Sequence, residues 1–302
     1  MQASAFTEAG PPDVLALIDV PTPVPGPGEV LVRVRTAGVQ PVDAAVRSGW
    51  GPPGVTVALP QIPGNEFAGT VESTGDGVTG FRPGDDVIGF RVLGCYAEYA
   101  VLPAAHLVRR PASLPWDQAG ALSASGQTAH TALGDLGVRS GETVLIHGAA
   151  GGVGSIAVQL AVEWGATVIG TAAPANHAYL RTLGAVPVAY GDGLLERVCA
   201  EAPKGIDAAF DTAGHGGVET SRHLVKERGR IGTIADTDAG RHGARFLRSQ
   251  RTAARLAELT ALAERGRLRV HIRSRYPLER AADAHREIET GHGRGKIVLV
   301  MG

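Results

Sequence analysis

The segment Val144-Leu-Ile-His-Gly-Ala-Ala-Gly-Gly-Val-Gly154 carries the clearest chemistry in the chain. A short apolar run leads into a turn of glycine and alanine, and the turn into a helical pattern. Set against the spacing G-x-G-x-x-G, the turn reads Ala149-x-Gly151-x-x-Gly154, with the next smallest residue in the first position. Gly151 leaves no Cβ between the backbone and a pyrophosphate, and Gly154 lets the helix pack close to the strand. At Gly152 and Val153 the helix start presents unpaired N–H groups and the positive end of its dipole. Strand, glycine turn and helix in that order point to a bound dinucleotide rather than a bare turn.

Which dinucleotide depends on a second position. An NAD site usually has an acid about 20 residues beyond the first glycine position, where it holds the ribose 2′-hydroxyl. Here that stretch is Gly170-Thr-Ala-Ala-Pro-Ala-Asn-His177, without an acid. A 2′-phosphate meets no repulsion there, and His177, Arg181 and Tyr190 are the nearest partners for it. Each of the three is as readily a solvated side chain. The balance favours NADP(H).

A strand–helix rhythm positions these residues. Strands are expected at 143–147, 166–171, 208–211 and 230–235, and helices at 152–164 and 178–183. That alternation implies βαβ units and a parallel sheet. Ahead of them, residues 1–115 are β-rich, with stretches such as 30–35 and 96–102 and turns at Pro25-Gly-Pro-Gly28, Gly51-Pro-Pro-Gly54 and Arg82-Pro-Gly-Asp85. Helices are expected at 115–122 and 127–136, an amphipathic helix at 252–265, a strand at 269–272, a helix at 278–289 and a closing strand at 296–300. The shift from β-rich to α/β texture marks a domain boundary near residue 115.

Composition narrows the function classes. The 302 residues are 44% hydrophobic and 20% charged, enough for a sizeable core and about two domains. A net charge of −1 and a pI near 6.8 argue against a nucleic-acid or anionic-membrane partner. Residues 1–20 carry Glu8, Asp13 and Asp19 and no basic region, so neither a secretory signal nor a membrane span is expected. Two cysteines, Cys95 and Cys199, make no disulfide framework or four-thiolate zinc site, which suits the cytoplasm.

Several tempting residues take a plainer reading. His147, at the end of the strand before the turn, reads as a packed side chain, and His215, between two glycines, as a loop residue. Ser123-Ala-Ser-Gly126 lacks the G-x-S-x-G elbow of a hydrolase. Five arginines from Arg241 to Arg255 surround Phe246-Leu247 and read as an interface or a solvated face.

The glycine segment, Gly126-Gln-Thr-Ala129, Gly64-Asn-Glu-Phe-Ala-Gly-Thr-Val71, Gly84-Asp-Asp-Val-Ile-Gly89 and Gly293-Arg-Gly-Lys-Ile-Val-Leu299 together resemble the medium-chain dehydrogenase/reductase superfamily. Pro41-Val-Asp43 with Arg47-Ser-Gly49 is most similar to its zinc-independent quinone oxidoreductase, or zeta-crystallin-like, branch. The resemblance implies an α/β protein. A GroES-like catalytic domain would span 1–115, with 267–302 returning to it, and a Rossmann doubly wound parallel-sheet domain would span 116–266. It also implies NADPH in the cleft between them and a homodimer through the Rossmann domain. Carried over by position, Gln40, Asp43 and Asn65 would stand at the reacting end, with Pro41 beside the nicotinamide. Thr128 would lie by the ribose or phosphates, and Asp211, Thr212 and Ala213 near the adenosine. Ile234 and Ala235 would meet the carboxamide, Tyr190 the 2′-phosphate, and Lys296 the cofactor. Two residues depart from the branch: Gln40 replaces an asparagine, and His177 a lysine that meets the 2′-phosphate.

Zinc alcohol dehydrogenases of this superfamily bind metal through cysteine and histidine. Here Asn65 occupies the position of the zinc-binding histidine, and no cysteine lies near Gln40. No metal is therefore expected, and alcohol oxidation, which needs a Lewis acid, becomes unfavourable. An electron-poor small-molecule acceptor remains: a quinone, or the conjugated C=C of an enone or enoyl thioester. Asp43, Arg47 and Tyr96 are the regional candidates for a proton donor, and each is more readily a salt bridge or a core hydroxyl. A non-catalytic NADPH-binding protein is the alternative of another class. The loops at 50–59 and 238–243 are expected to shape the acceptor pocket.

Overall fold

The computed structural model describes every residue except Pro53, so the middle of the expected Gly51–Gly54 turn lies outside the described residues. The first part of the chain forms β1 (Gln2–Ala5), β2 (Ala16–Asp19), β3 (Glu29–Val39), α1 (Pro41–Arg47), β4 (Glu66–Thr74), β5 (Asp86–Phe90), β6 (Tyr99–Pro103) and β7 (Leu107–Arg109). Helices α2 (Trp116–Gly120) and α3 (Ser123–Asp135) follow. Then come β8 (Thr143–His147), α4 (Gly152–Glu163), β9 (Thr167–Thr171), α5 (His177–Thr182), β10 (Val186–Val188), α6 (Leu194–Glu201) and β11 (Ala208–Asp211). The chain continues through α7 (Gly217–Arg222), β12 (Ile231–Thr233), β13 (Arg245–Phe246), α8 (Ala253–Glu264), β14 (Ile272–Pro277), α9 (Ala281–Glu289) and β15 (Lys296–Val300).

Two large sheets organise the described residues. The mixed sheet runs β14-β15-β3-β4-β5-β7, with β6 also paired to β3. Strand β15 pairs antiparallel with β3, so the end of the chain returns to the sheet where the chain began. The second sheet runs β10-β9-β8-β11-β12-β13, with every pairing parallel. In strand order this is 3-2-1-4-5-6, the doubly wound arrangement, whose order reverses between β8 and β11. Strands β8 and β11 are buried on both faces, which is why Val-Leu-Ile and Ala-Ala-Phe run without polar alternation.

One apolar core joins the two sheets. Ala68, Ile88 and Phe90 of the mixed sheet pack in the same cluster as Leu122, Ile146, Ile156 and Phe210. Helix α2 leans on the mixed sheet, where Thr36 Oγ1 donates to the carbonyl of Trp116 at 2.7 Å. Helix α8 begins at Thr252, whose side chain accepts from Arg255 N, and ends before Gly266, whose φ of +69° suits glycine.

The strand expected at 269–272 instead begins at Ile272 and runs to Pro277. It is an edge strand, and its half-exposed Arg-Ser-Arg-Tyr hides the apolar alternation that signals a strand. No helix among the described residues is long and apolar enough to cross a membrane. Cys95 is buried and Cys199 exposed, and the two are unpaired.

Candidate functional site

A cleft of about 1580 Å³ lies where the strand order of the parallel sheet reverses, walled by both sheets. Its volume exceeds the roughly 300–1,000 Å³ of an ordinary small-molecule pocket, leaving room for a dinucleotide and a second molecule.

The glycine turn forms one side. Gly148, with φ +68°, makes the sharp exit from β8, one residue before the Ala149 that takes the first motif position. Ala149 is fully buried beneath the turn, its N–H donating to Thr171 O at 3.0 Å, and it does not reach the cleft. Gly151, Gly152 and Val153 line the cleft. A Cβ on Gly151 would meet only Gly148 O, at 3.3 Å, so nothing in the protein fills the space above it. A Cβ on Gly154 would stand 2.2 Å from the same oxygen, so Gly154 serves helix-to-turn packing and stays out of the cleft wall. The first helical acceptance is Gly151 O from Ser155 N, which leaves the N–H groups of Gly152, Val153 and Gly154 ahead of the ladder. An extended phosphate-bearing molecule fits this cradle.

The next strands supply the far half. Asp211 is buried and does not touch the cleft; Oδ1 accepts from Ala213 N and Gly214 N at 3.0 and 2.9 Å, and Oδ2 from Thr233 Oγ1 at 2.8 Å. Thr233 Oγ1 in turn accepts from Ala235 N and Asp236 N. This pair shapes the two loops that bring Thr212, Ala213, Ile234 and Ala235 to the cleft. Tyr190 lines the cleft. Neither His177 nor Arg181 does: His177 Nε2 faces Ala172 O at 3.2 Å, and Arg181 is exposed. Asn176 takes a cleft position near them, held by Arg294 at 3.2 Å. His147 and His215 also reach the cleft. His147 is bonded to Ser221 at 2.9 Å, and burial pushes its pKa down to about 4, so it is neutral.

Gln40, Pro41, Asp43, Asn65, Thr128 and Lys296 line the other end. Gln40 begins α1, and its Nε2 donates to Glu66 Oε1 at 2.6 Å and lies 3.3 Å from Ser125 Oγ. Thr128 Oγ1 donates to Ala124 O at 2.7 Å. Lys296 Nζ donates to Glu66 Oε1 at 2.8 Å, and its stem packs over Gly152. Asp43 accepts from Asn65 Nδ2, Gln40 N and Tyr96 OH. Burial outweighs these donors and raises its pKa from 3.8 to about 6. Tyr96 is buried behind Asp43, with its own pKa pushed well above the usual value by burial and by Asp43. Arg47 turns away to Glu289 and Ser48. Of the three proton-donor candidates, only Asp43 reaches the cleft.

Sequence reasoning missed Glu66 and Arg251. Glu66 stands within the quoted Gly64–Val71 motif but gained a role only through partners far along the chain. The arginine run is not a uniform solvated face, because Arg248 and Arg251 line the cleft. The loop at 238–243 does not reach it, whereas Trp50 and Pro52 of the 50–59 loop do. At Asn65, Nδ2 is committed to Asp43, and Oδ1 lies 3.4 Å from the Arg251 guanidinium. A cation so close disfavours a divalent metal, and the described residues hold no cluster of three or more His, Cys, Asp or Glu side chains suited to one.

Residues 26–112 match the model of the alcohol dehydrogenase GroES-like domain, and residues 183–299 that of zinc-binding dehydrogenases. Human quinone oxidoreductase is 33% identical, with all of this chain and 98% of the relative covered. The structure of Escherichia coli quinone oxidoreductase complexed with NADPH superposes with a TM-score of 0.88 at 26% identity, covering 99% of this chain and all of that one. An NAD-dependent alcohol dehydrogenase superposes with a TM-score of 0.90 at 31% identity, over the whole of both chains.

Proposed function

The chain belongs to the medium-chain dehydrogenase/reductase superfamily, in its quinone oxidoreductase branch, and we propose that it transfers hydride from NADPH to a quinone without using a metal. The observation that carries this reading is the shared cleft: the phosphate-type cradle at Gly151–Val153 and the polar cluster of Gln40, Asp43 and Asn65 open on one cavity. NADPH, when bound, supplies the hydride, which no side chain here can provide.

The protein's residues bind and orient the reactants. The N–H groups of Gly152 and Val153 face the pyrophosphate, with the α4 dipole behind them. Tyr190 and Asn176 line the cleft where they would flank the 2′-phosphate, and the 170–177 stretch beside them carries no acid. Thr128, Thr212, Ala213, Ile234 and Ala235 orient the nucleoside halves, and Gln40 and Pro41 border the reacting ring. Val42, Val92, Leu93 and Phe246 give the cleft an apolar lining against which an aromatic acceptor could pack. Asp43, protonated in part near pH 6, holds a proton at the cleft wall for the reduced acceptor.

One similar structure is named an NAD-dependent alcohol dehydrogenase, but the Asn65 environment here does not favour the metal that activates an alcohol. We read the protein as cytoplasmic and as a homodimer. Support for the dimer is the outer strand β13, whose Arg245 and Phe246 are both exposed at the edge of the parallel sheet. Turnover of NADPH with a panel of quinones, enones and enoyl thioesters tests the function. Quinones are expected to react fastest. Faster reduction of an enone would move the reading to C=C reduction at the same site, and no turnover with any acceptor would favour a non-catalytic NADPH-binding protein.

A further inference from the structure

Arg251 leaves the loop between β13 and α8 and enters the cleft wall beside Asn65. Its Nη1 donates to Asn65 O at 2.9 Å and to Arg91 O at 3.2 Å. The guanidinium carbon stands 5.7 Å from the centre of the Phe90 ring. No carboxylate among the described residues pairs with it, although Glu66 and Asp43 act on it from farther off. Burial lowers its pKa, yet a guanidinium stays charged. The Nε and Nη2 groups have no protein acceptor and are not sealed from solvent. Lys296, a buried cation of this end, is by contrast committed to Glu66. One face of the Arg251 fork is therefore anchored and the other left open at the acceptor end.

We propose that Arg251 is the oxyanion-binding residue of this enzyme, its Nε and Nη2 receiving the acceptor's carbonyl oxygen as that oxygen gains charge. The inference rests on the hydride transfer proposed above. The hydride brings two electrons to the conjugated acceptor, and the carbonyl π pair moves onto oxygen. NADPH is oxidised to NADP⁺ and the acceptor is reduced to an oxyanion. A proton from Asp43 or water then completes the product. A preorganised cation at the place where charge develops lowers that barrier most in a site shielded from water. Asn65, at the position where zinc enzymes of the superfamily have a histidine, here holds a guanidinium that offers positive charge without a metal.

Two measurements test this. The first uses wild-type protein loaded with NADP⁺, titrated with 4-nitrophenolate at alkaline pH and with neutral 4-nitroanisole of nearly the same shape. The phenolate is expected to bind at least about tenfold more tightly, as one charge-assisted contact implies. General damage or loose packing would affect both probes alike. The second compares Arg251→Gln with wild type on 1,4-benzoquinone. The variant's kcat is expected to fall about 100-fold or more, with NADPH affinity unchanged and partial recovery in added guanidinium. Equal binding of the two probes, or a variant kcat equal to that of an active wild type, overturns the role of Arg251. A wild type that reduces no quinone removes the hydride-transfer reading instead, and the phenolate titration still decides whether Arg251 binds oxyanions.

Discussion

Lys296 Nζ lies 2.8 Å from Glu66 Oε1 in an ion pair whose side chains are only 3% and 0% exposed. The pair joins β15 to β4 across 230 residues of sequence. Glu66 Oε2 also accepts from Ala124 N at 2.6 Å, and Oε1 from Gln40 Nε2. Because the Lys296 stem packs over Gly152, one carboxylate links the acceptor end to the phosphate turn and the start of α3.

Breaking that pair leaves a buried charge without its partner. Glu66→Gln and Lys296→Met are each expected to destabilise the fold by about 3–5 kcal/mol in urea unfolding. The double variant Glu66→Gln/Lys296→Met should recover part of the loss, since neither charge is then stranded. Additive losses in the double variant would mean that the two charges are not coupled.

Two glycines of the turn should fail in different ways. Gly154→Ala forces a Cβ to 2.2 Å from Gly148 O and 2.9 Å from Ala149 Cα, backbone atoms that cannot step aside. It should lower stability by about 1–3 kcal/mol. Gly151 has φ −72°, open to any residue, so Gly151→Val should keep its far-UV circular dichroism and lose NADPH binding. Normal binding by Gly151→Val would move the phosphates out of this turn.

These glycines also show what the sequence made legible. The turn follows from residues adjacent in the chain, so its place between β8 and α4 could be read directly. Its left-handed residue is Gly148, the glycine of the Gly148–Ala149 pair, as the lack of a Cβ requires. Gln40, Asp43 and Asn65 were found by resemblance, whereas Glu66 and Arg251 depend on partners 26 to 230 residues away. His177 and Arg181 looked suitable because they are basic and near in sequence, but α5 does not bring them to the cleft.

Cofactor preference tests the region beyond β9. Tyr190 lines the cleft and Arg181 does not. Fluorescence titration should find NADPH tighter than NADH, and Tyr190→Phe should weaken NADPH selectively by about 1–3 kcal/mol. Arg181→Ala should leave both affinities near wild type. Tighter NADH binding by the wild type would remove the NADPH assignment.

Asp43 makes stability depend on pH with a sign opposite to that of a salt-bridged carboxylate. Its pKa is raised by burial from 3.8 to about 6, so the native state holds the proton more tightly than the unfolded chain. The stabilising contribution is full below 3.8 and is lost as pH rises through about 6, amounting to about 3 kcal/mol. His147 and His285, held neutral by burial, titrate with the opposite slope but are common to wild type and variant. The difference in urea unfolding free energy between wild type and Asp43→Asn should therefore fall across this window. A constant difference would mean that folding does not raise the Asp43 pKa.

The most direct check of metal-free hydride transfer is NADPH oxidation by 1,4-benzoquinone, using protein purified without a histidine tag and incubated with EDTA. Undiminished turnover, with far less than one zinc per chain by elemental analysis, is the expected result. Turnover that disappears with EDTA and returns with added zinc would overturn it.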